Sequence, residues 1–199
     1  MISNSDPKGA VILKKNEDFN SVDRIDNKLL ENSIHFLTGE IDEANILAAI
    51  KWVTYENIET SKHKQLTLYI NSHGGDLYQA FALIDIMKSS KFPIRTIGIG
   101  SIMSAAFLIF VSGQRGNRYI APNTGIMCHQ YSDSSEGKHH DLKAAMKEGE
   151  HCNERMMGIL KIATELPIAK IKSKLLPASD VYLTAQEMVD LGAADYILY

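Results

Sequence analysis

Thr96-Ile97-Gly98-Ile99-Gly100-Ser101-Ile102-Met103-Ser104-Ala105-Ala106-Phe107-Leu108-Ile109-Phe110-Val111 is the stretch on which the organisation of the chain turns. It opens as a short apolar strand, breaks at two glycines, and passes through Ser104 into a small-residue apolar run that reads as a buried helix. A serine at a buried helix start has two uses. Its hydroxyl can cap an orphan amide. It can also act as a nucleophile, because the free N–H groups there lie where an oxyanion would form. The rest of the chain has to decide between them.

Upstream, residues 66–71 alternate as a strand and stop at Ser72-His73-Gly74-Gly75-Asp76, a turn tight enough to require glycine. A glycine amide left free at such a strand end can donate to developing negative charge. Downstream, Gly125-Ile126-Met127-Cys128-His129-Gln130 is a short apolar strand that ends in a histidine, which suits a general base projecting from a strand edge. Glycine turn, serine and histidine thus each follow a strand. The order strand, helix, strand, helix, strand points to an α/β fold with a parallel sheet and crossover helices, in which ligands bind beyond the carboxyl ends of the strands.

Taken together, Tyr69-Ile70-Asn71-Ser72-His73-Gly74-Gly75, Ser104, Pro122-Asn123 and Met127-Cys128-His129-Gln130 resemble the ClpP family, the serine peptidase chambers of ATP-dependent protein degradation. Phe36-Leu37-Thr38-Gly39 and the segments 180–187 and 191–195 extend the resemblance in order from Asp26 to Leu198. It implies a ClpP/crotonase-like fold with a protruding handle helix. By position it implies Ser104 as nucleophile, His129 as base, Asp180 as the acid that orients the base, and the amides of Gly74 and Ala105 as the oxyanion hole. It further implies stacked heptameric rings, an AAA+ Clp unfoldase as partner and unfolded polypeptides as substrates. No metal or organic cofactor is needed, because the nucleotide belongs to the unfoldase. Where the family usually has proline, methionine-glycine and a glycine-rich loop, this chain has His73 and Tyr131, Ala105-Ala106, and residues 133–136. These departures touch the oxyanion loop, the substrate strand and the handle.

Composition agrees with one globular domain: 199 residues with 45% hydrophobic content. A net charge of −3 offers no basic field for nucleic acid. No apolar leader or long apolar run suggests export or membrane spanning, and two cysteines, Cys128 and Cys152, suit free thiols in a reducing cytoplasm or organelle matrix.

Residues 1–25 read as a polar N-terminal segment with one apolar patch, which in the ClpP family lines the axial pore, and 26–199 as the peptidase domain. Ile46, Leu47, Ile50, Val53 and Ile58 space an amphipathic helix over 42–58, and Leu77, Ala80, Phe81, Ile84 and Met87 another over 77–90. Arg115 and Arg118 read as surface charges around a turn. Gly98-x-Gly100 lacks the rest of a nucleotide fingerprint. From Lys138 to Thr164 one helix about 40 Å long is predicted, within a handle of about 131–166. Its stripe of Leu142, Met146, Met156 and Leu160 reads as an interface. His139, His140, His151 and Cys152 lack metal-ligand spacing. Thr184 with Glu187 makes a capping box.

Two other functions stay open at this point. One is a non-catalytic or weakly active subunit of a mixed ring. The other is a crotonase-type acyl-CoA enzyme, which would use the same fold and paired amides without needing Ser104, His129 and Asp180 together.

Overall fold

The computed structural model describes residues 21–58 and 65–199. The apolar patch at residues 10–13 and the loop at 60–64 lie outside them. The first element is a helix, α1 (Ser21–Glu31), which crosses the boundary drawn at residue 25 and has no buried residue.

The expected alternation follows as β1 (Ile34–Ile41), α2 (Glu43–Ile58), β2 (Leu66–Gly75), α3 (Leu77–Ser89), β3 (Ile94–Met103) and α4 (Ala105–Val111). Strands β1, β2 and β3 are parallel neighbours, as crossover helices require. The remaining strands are short: β4 (Arg118–Ile120), β5 (Gly125–Cys128), β6 (Val181–Leu183) and β7 (Tyr196–Ile197). Along β3, the first half pairs with β4 and the second half with β5, both parallel, while β7 extends the sheet beyond β4. Among the described residues only β5 and β6 are antiparallel. The result is a mixed α/β fold with a mostly parallel sheet.

Helix α4 is the centre of the core. All seven of its residues are at most 2% exposed, as expected of a helix apolar all round. On α2 the buried face is Ile46, Ala49, Trp52, Val53 and Glu56, whereas Leu47 and Ile58 are exposed. Buried Glu56 accepts a hydrogen bond from the Ser33 hydroxyl at 3.0 Å, which explains how a carboxylate occupies that face. Across the sheet, Phe36, Tyr69, Ile97, Tyr119 and Tyr196 fall in one register row, with Phe36 stacked on Tyr69 and Tyr119 on Tyr196.

The long helix α5 spans His139–Thr164, 26 residues and about 39 Å. Its apolar stripe divides. Met156 and Leu160 are buried with Cys152 and Ile159 in the domain's own core, so that half of the expected interface packs internally. Leu142 and Met146, on the N-terminal half of α5, stay 37% and 69% exposed. Two short helices complete the chain, α6 (Ile168–Lys174) and α7 (Ala185–Asp190). The Thr184–Glu187 capping box forms with both reciprocal hydrogen bonds.

Arg118 corrects its reading as a surface charge. Only 1% exposed, it sits in β4 and donates from Nε and Nη2 to both Asp195 carboxylate oxygens, and from its terminal nitrogens to the carbonyls of Ala163 and Gly192. Burial alone would push the Asp195 carboxyl up, but hydrogen bonds from the Arg118 side chain and from the N–H groups of Arg118 and Gly116 outweigh it and hold it below its ordinary value. A depressed carboxyl contributes stability above the unfolded-state value, about 3.9, and loses that contribution as pH falls through the folded-state value. Asp195→Asn should therefore flatten the acid limb of stability below about pH 4 and, by leaving Arg118 buried without its counter-charge, cost about 3 kcal/mol at neutral pH. Urea unfolding of both proteins across that range checks it.

Candidate active site

The site is built where β2 and β3 end. Their register breaks between Ile70, opposite Gly98, and Ser72, opposite Ile102, so β3 carries two extra residues there. Asn71 holds this bulge: its Oδ1 accepts from the Ser101 N–H at 3.0 Å and from the Ser101 hydroxyl at 3.3 Å. Gly100 lies against the same side chain at φ +62°, where a Cβ would fall 2.5 Å from Asn71 Oδ1. The bulge brings the end of β3 against the glycine turn. At Gly74, φ +102°, a Cβ would lie 2.7 Å from Ser104 Cβ and 3.2 Å from the Ala105 nitrogen.

Ser104 stands at φ 53° and ψ −122°, a conformation that strains an L-residue by about 1–3 kcal/mol. Its N–H donates to the Met127 carbonyl at 2.9 Å, and its carbonyl accepts from Phe107 and Leu108, which hold the sharp bend between strand and helix. The residue occupies the N-cap position of α4, yet its hydroxyl makes no capping bond. Instead Ser104 Oγ lies 2.7 Å from His129 Nε2. The next residue, Ala105, is 2% exposed, and among the described residues its N–H has no hydrogen-bond acceptor.

His129 follows β5 directly. The antiparallel ladder of β5 and β6 ends on Cys128 opposite Val181, and His129 and Asp180 are the residues that adjoin it at that end. Asp180 is exposed, and among the described residues it makes no hydrogen bond to His129. The third expected residue thus lies at the same end of the β5–β6 pair as the histidine. Cys128, adjacent in sequence, is no rival nucleophile: burial pushes its thiol up to about 12, so it stays protonated.

A cleft of about 270 Å³ opens over the Ser104–His129 pair, with Gly75, Leu77, Tyr78 and Ala105 on one side and Tyr131 and Met156 on the other. Gly74 does not behave as expected. Its N–H donates to the Ser72 hydroxyl oxygen at 3.0 Å instead of standing free, because a serine two residues back closes a side-chain turn on it. The glycine that lines the cleft is Gly75.

Helix α5 closes the back of the cleft. Tyr131 donates its N–H to Asn153 Oδ1 at 2.8 Å, and its ring lies over Gly149. Tyr78 donates its hydroxyl to Glu148 Oε1 at 2.9 Å, and Arg155 Nη2 donates to the same oxygen at 2.7 Å. Glu148 and Arg155 have no signature in the sequence beyond sharing a helix face with Cys152, and Tyr78 none beyond following the turn. Among the described residues no group of three His, Cys, Asp or Glu side chains is disposed to hold a metal. No helix among them is long and apolar enough to cross a membrane.

A serine on a strained strand-to-helix bend, within hydrogen-bond distance of a histidine at the carboxyl end of a mostly parallel sheet, is the arrangement that serine-type hydrolysis requires. The family model of the Clp proteases matches residues 15–199, and the chain belongs to that family, as a ClpP-type peptidase.

Proposed function

We propose that this chain is a serine endopeptidase subunit with Ser104, His129 and Asp180 as its catalytic residues. The observation that carries the reading is the 2.7 Å contact between Ser104 Oγ and His129 Nε2, made by a hydroxyl that could have capped its helix. In the reaction, His129 Nε2 takes the proton as Ser104 Oγ attacks a peptide carbonyl carbon, then returns it to the leaving amine. Water hydrolyses the resulting acyl-enzyme by the same steps. Asp180, at the same end of the β5–β6 pair as His129, would accept from Nδ1–H and hold the base in the tautomer that leaves Nε2 free.

The oxyanion is assigned to the N–H of Ala105 and that of Gly75, the turn residue that faces the cleft, with Gly74 acting through the turn it forms. No metal or cofactor takes part. The acyl-CoA reading has no use for a serine hydroxyl aimed at a histidine. The purified protein should hydrolyse a short fluorogenic peptide and leave an acyl-CoA thioester untouched. The reverse outcome would exchange one reading for the other, and inactivity towards both would favour a non-catalytic ring subunit.

Assembly belongs to the same proposal: stacked heptameric rings fed with unfolded chains by an AAA+ Clp unfoldase, with α5 as the handle between rings. Support comes from Leu142 and Met146, exposed on the N-terminal half of α5. Met156 is unsuitable for a test because it is buried in the core and lines the cleft. Replacing Leu142 and Met146 together with glutamate should split stacked rings into single rings while the subunit stays folded. Native mass spectrometry reads the result directly, and an unchanged mass would contradict the handle assignment.

A further inference from the structure

Gly74 and Gly75 pair with Glu40 and Ile41 of β1, but with no Cβ neither residue limits its own backbone. Peptides this free do not hold an N–H in one direction unless their neighbours fix them. On the downstream side the fixing group is Asp76: its N–H donates to the Ile41 carbonyl at 2.7 Å, and its side chain accepts from the N–H groups of Tyr78 and Gln79 to start α3. On the upstream side it is Ser72, only 1% exposed and paired in register with Ile102 of β3. Ser72 Oγ is the acceptor of the Gly74 N–H. The peptide between these two anchors is the one that carries the Gly75 N–H.

We propose that Ser72 is a positioning residue for peptide hydrolysis, its hydroxyl oxygen locking the turn so that the Gly75 amide stays aimed at the oxyanion. The proposal rests on the reading of Ser104 as nucleophile. Without the hydroxyl, the buried Gly74 N–H loses the side-chain acceptor that closes the turn, and the 74–75 peptide keeps only its pairing with Glu40 and Ile41 of β1 to hold its direction. Rotation of the 74–75 peptide withdraws a donor needed in the transition state and leaves the ground-state contacts of the substrate nearly intact. The signature is therefore a fall in kcat rather than a rise in KM.

The test compares wild type, Ser72→Ala and Ser72→Thr as assembled proteins. For Ser72→Ala, kcat on a short fluorogenic peptide should fall about tenfold to a hundredfold, less than complete loss of a donor, with KM within about twofold. A peptide boronate, which forms the tetrahedral adduct, should bind more weakly by a matching factor, and deuterium uptake in the 70–77 segment should quicken. Ser72→Thr keeps the acceptor and should stay within about threefold of wild type. If Ser72→Ala fails to assemble, Ser72→Cys, close in size and a weak acceptor, takes its place with the same expectations.

Wild-type kcat and boronate affinity in Ser72→Ala, a rise in its kcat, or a threonine variant as impaired as alanine would each overturn the proposal. Fluorophosphonate labelling of wild-type Ser104 separates the two levels. A labelled, active wild type with an unaffected Ser72→Ala defeats only the role of Ser72, whereas an unlabelled and inactive wild type defeats the nucleophile assignment and this proposal with it.

Discussion

Replacing Ser104 by alanine is expected to lower kcat for a short peptide by about 10⁵-fold, with assembly and fold retained. The magnitude follows from the way nucleophile and base act as a unit: removing either leaves only binding and the oxyanion donors to accelerate the reaction. The fold should tolerate the change because the hydroxyl makes no capping bond and, among the described residues, bonds only to His129. Glycine at the same position should be equally inactive yet more stable than wild type by about 1 kcal/mol, since it relieves the strain at φ 53°. An inactive variant that gains stability separates catalytic loss from misfolding. Residual turnover within about tenfold of wild type would place the nucleophile elsewhere.

Changing the third residue of the set is expected to cost almost as much. Asp180→Asn should reduce kcat by about 10³- to 10⁴-fold, because an amide in place of the carboxylate favours the His129 tautomer in which Nε2 carries the proton and cannot accept one from Ser104. The thermal midpoint should not move, since Asp180 is exposed. Asp180 precedes β6 as His129 follows β5, at the same end of that strand pair. A rate within about tenfold of wild type would mean that Ser104 and His129 work as a pair without an orienting acid.

Much of this site was legible in the sequence because its parts sit on short apolar strands ended by unmistakable punctuation. The glycine turn after β2, Ser104 before an all-apolar helix, and His129 at the end of β5 each follow such a strand, and the Thr184–Glu187 box marks α7 by local chemistry alone. Strands β4, β6 and β7 were not legible, since two or three residues carry no periodicity and become strands only through their partners. Arg118 misleads for the same reason: the carboxylate that makes its burial tolerable, Asp195, is 77 residues away. The stripe on α5 was read correctly as apolar, but periodicity shows that a face is covered and not what covers it. Met156 and Leu160 face their own domain, while Leu142 and Met146 do not.

The oxyanion turn was the subtler case. A free glycine amide is a reasonable expectation from Gly74-Gly75, but a serine two residues before a glycine can satisfy that amide from its own side chain, as Ser72 does here. The effect is to move the donor assignment one residue along, to the glycine that lines the cleft.

The most direct measurement is covalent labelling with a fluorophosphonate probe, followed by peptide mapping of the wild type and of His129→Ala. A single adduct on Ser104 in the wild type, lost or slowed by orders of magnitude without the imidazole, is the predicted result. An adduct on Ser101 or Ser112, or equally fast labelling of Ser104 after removal of His129, would contradict the account.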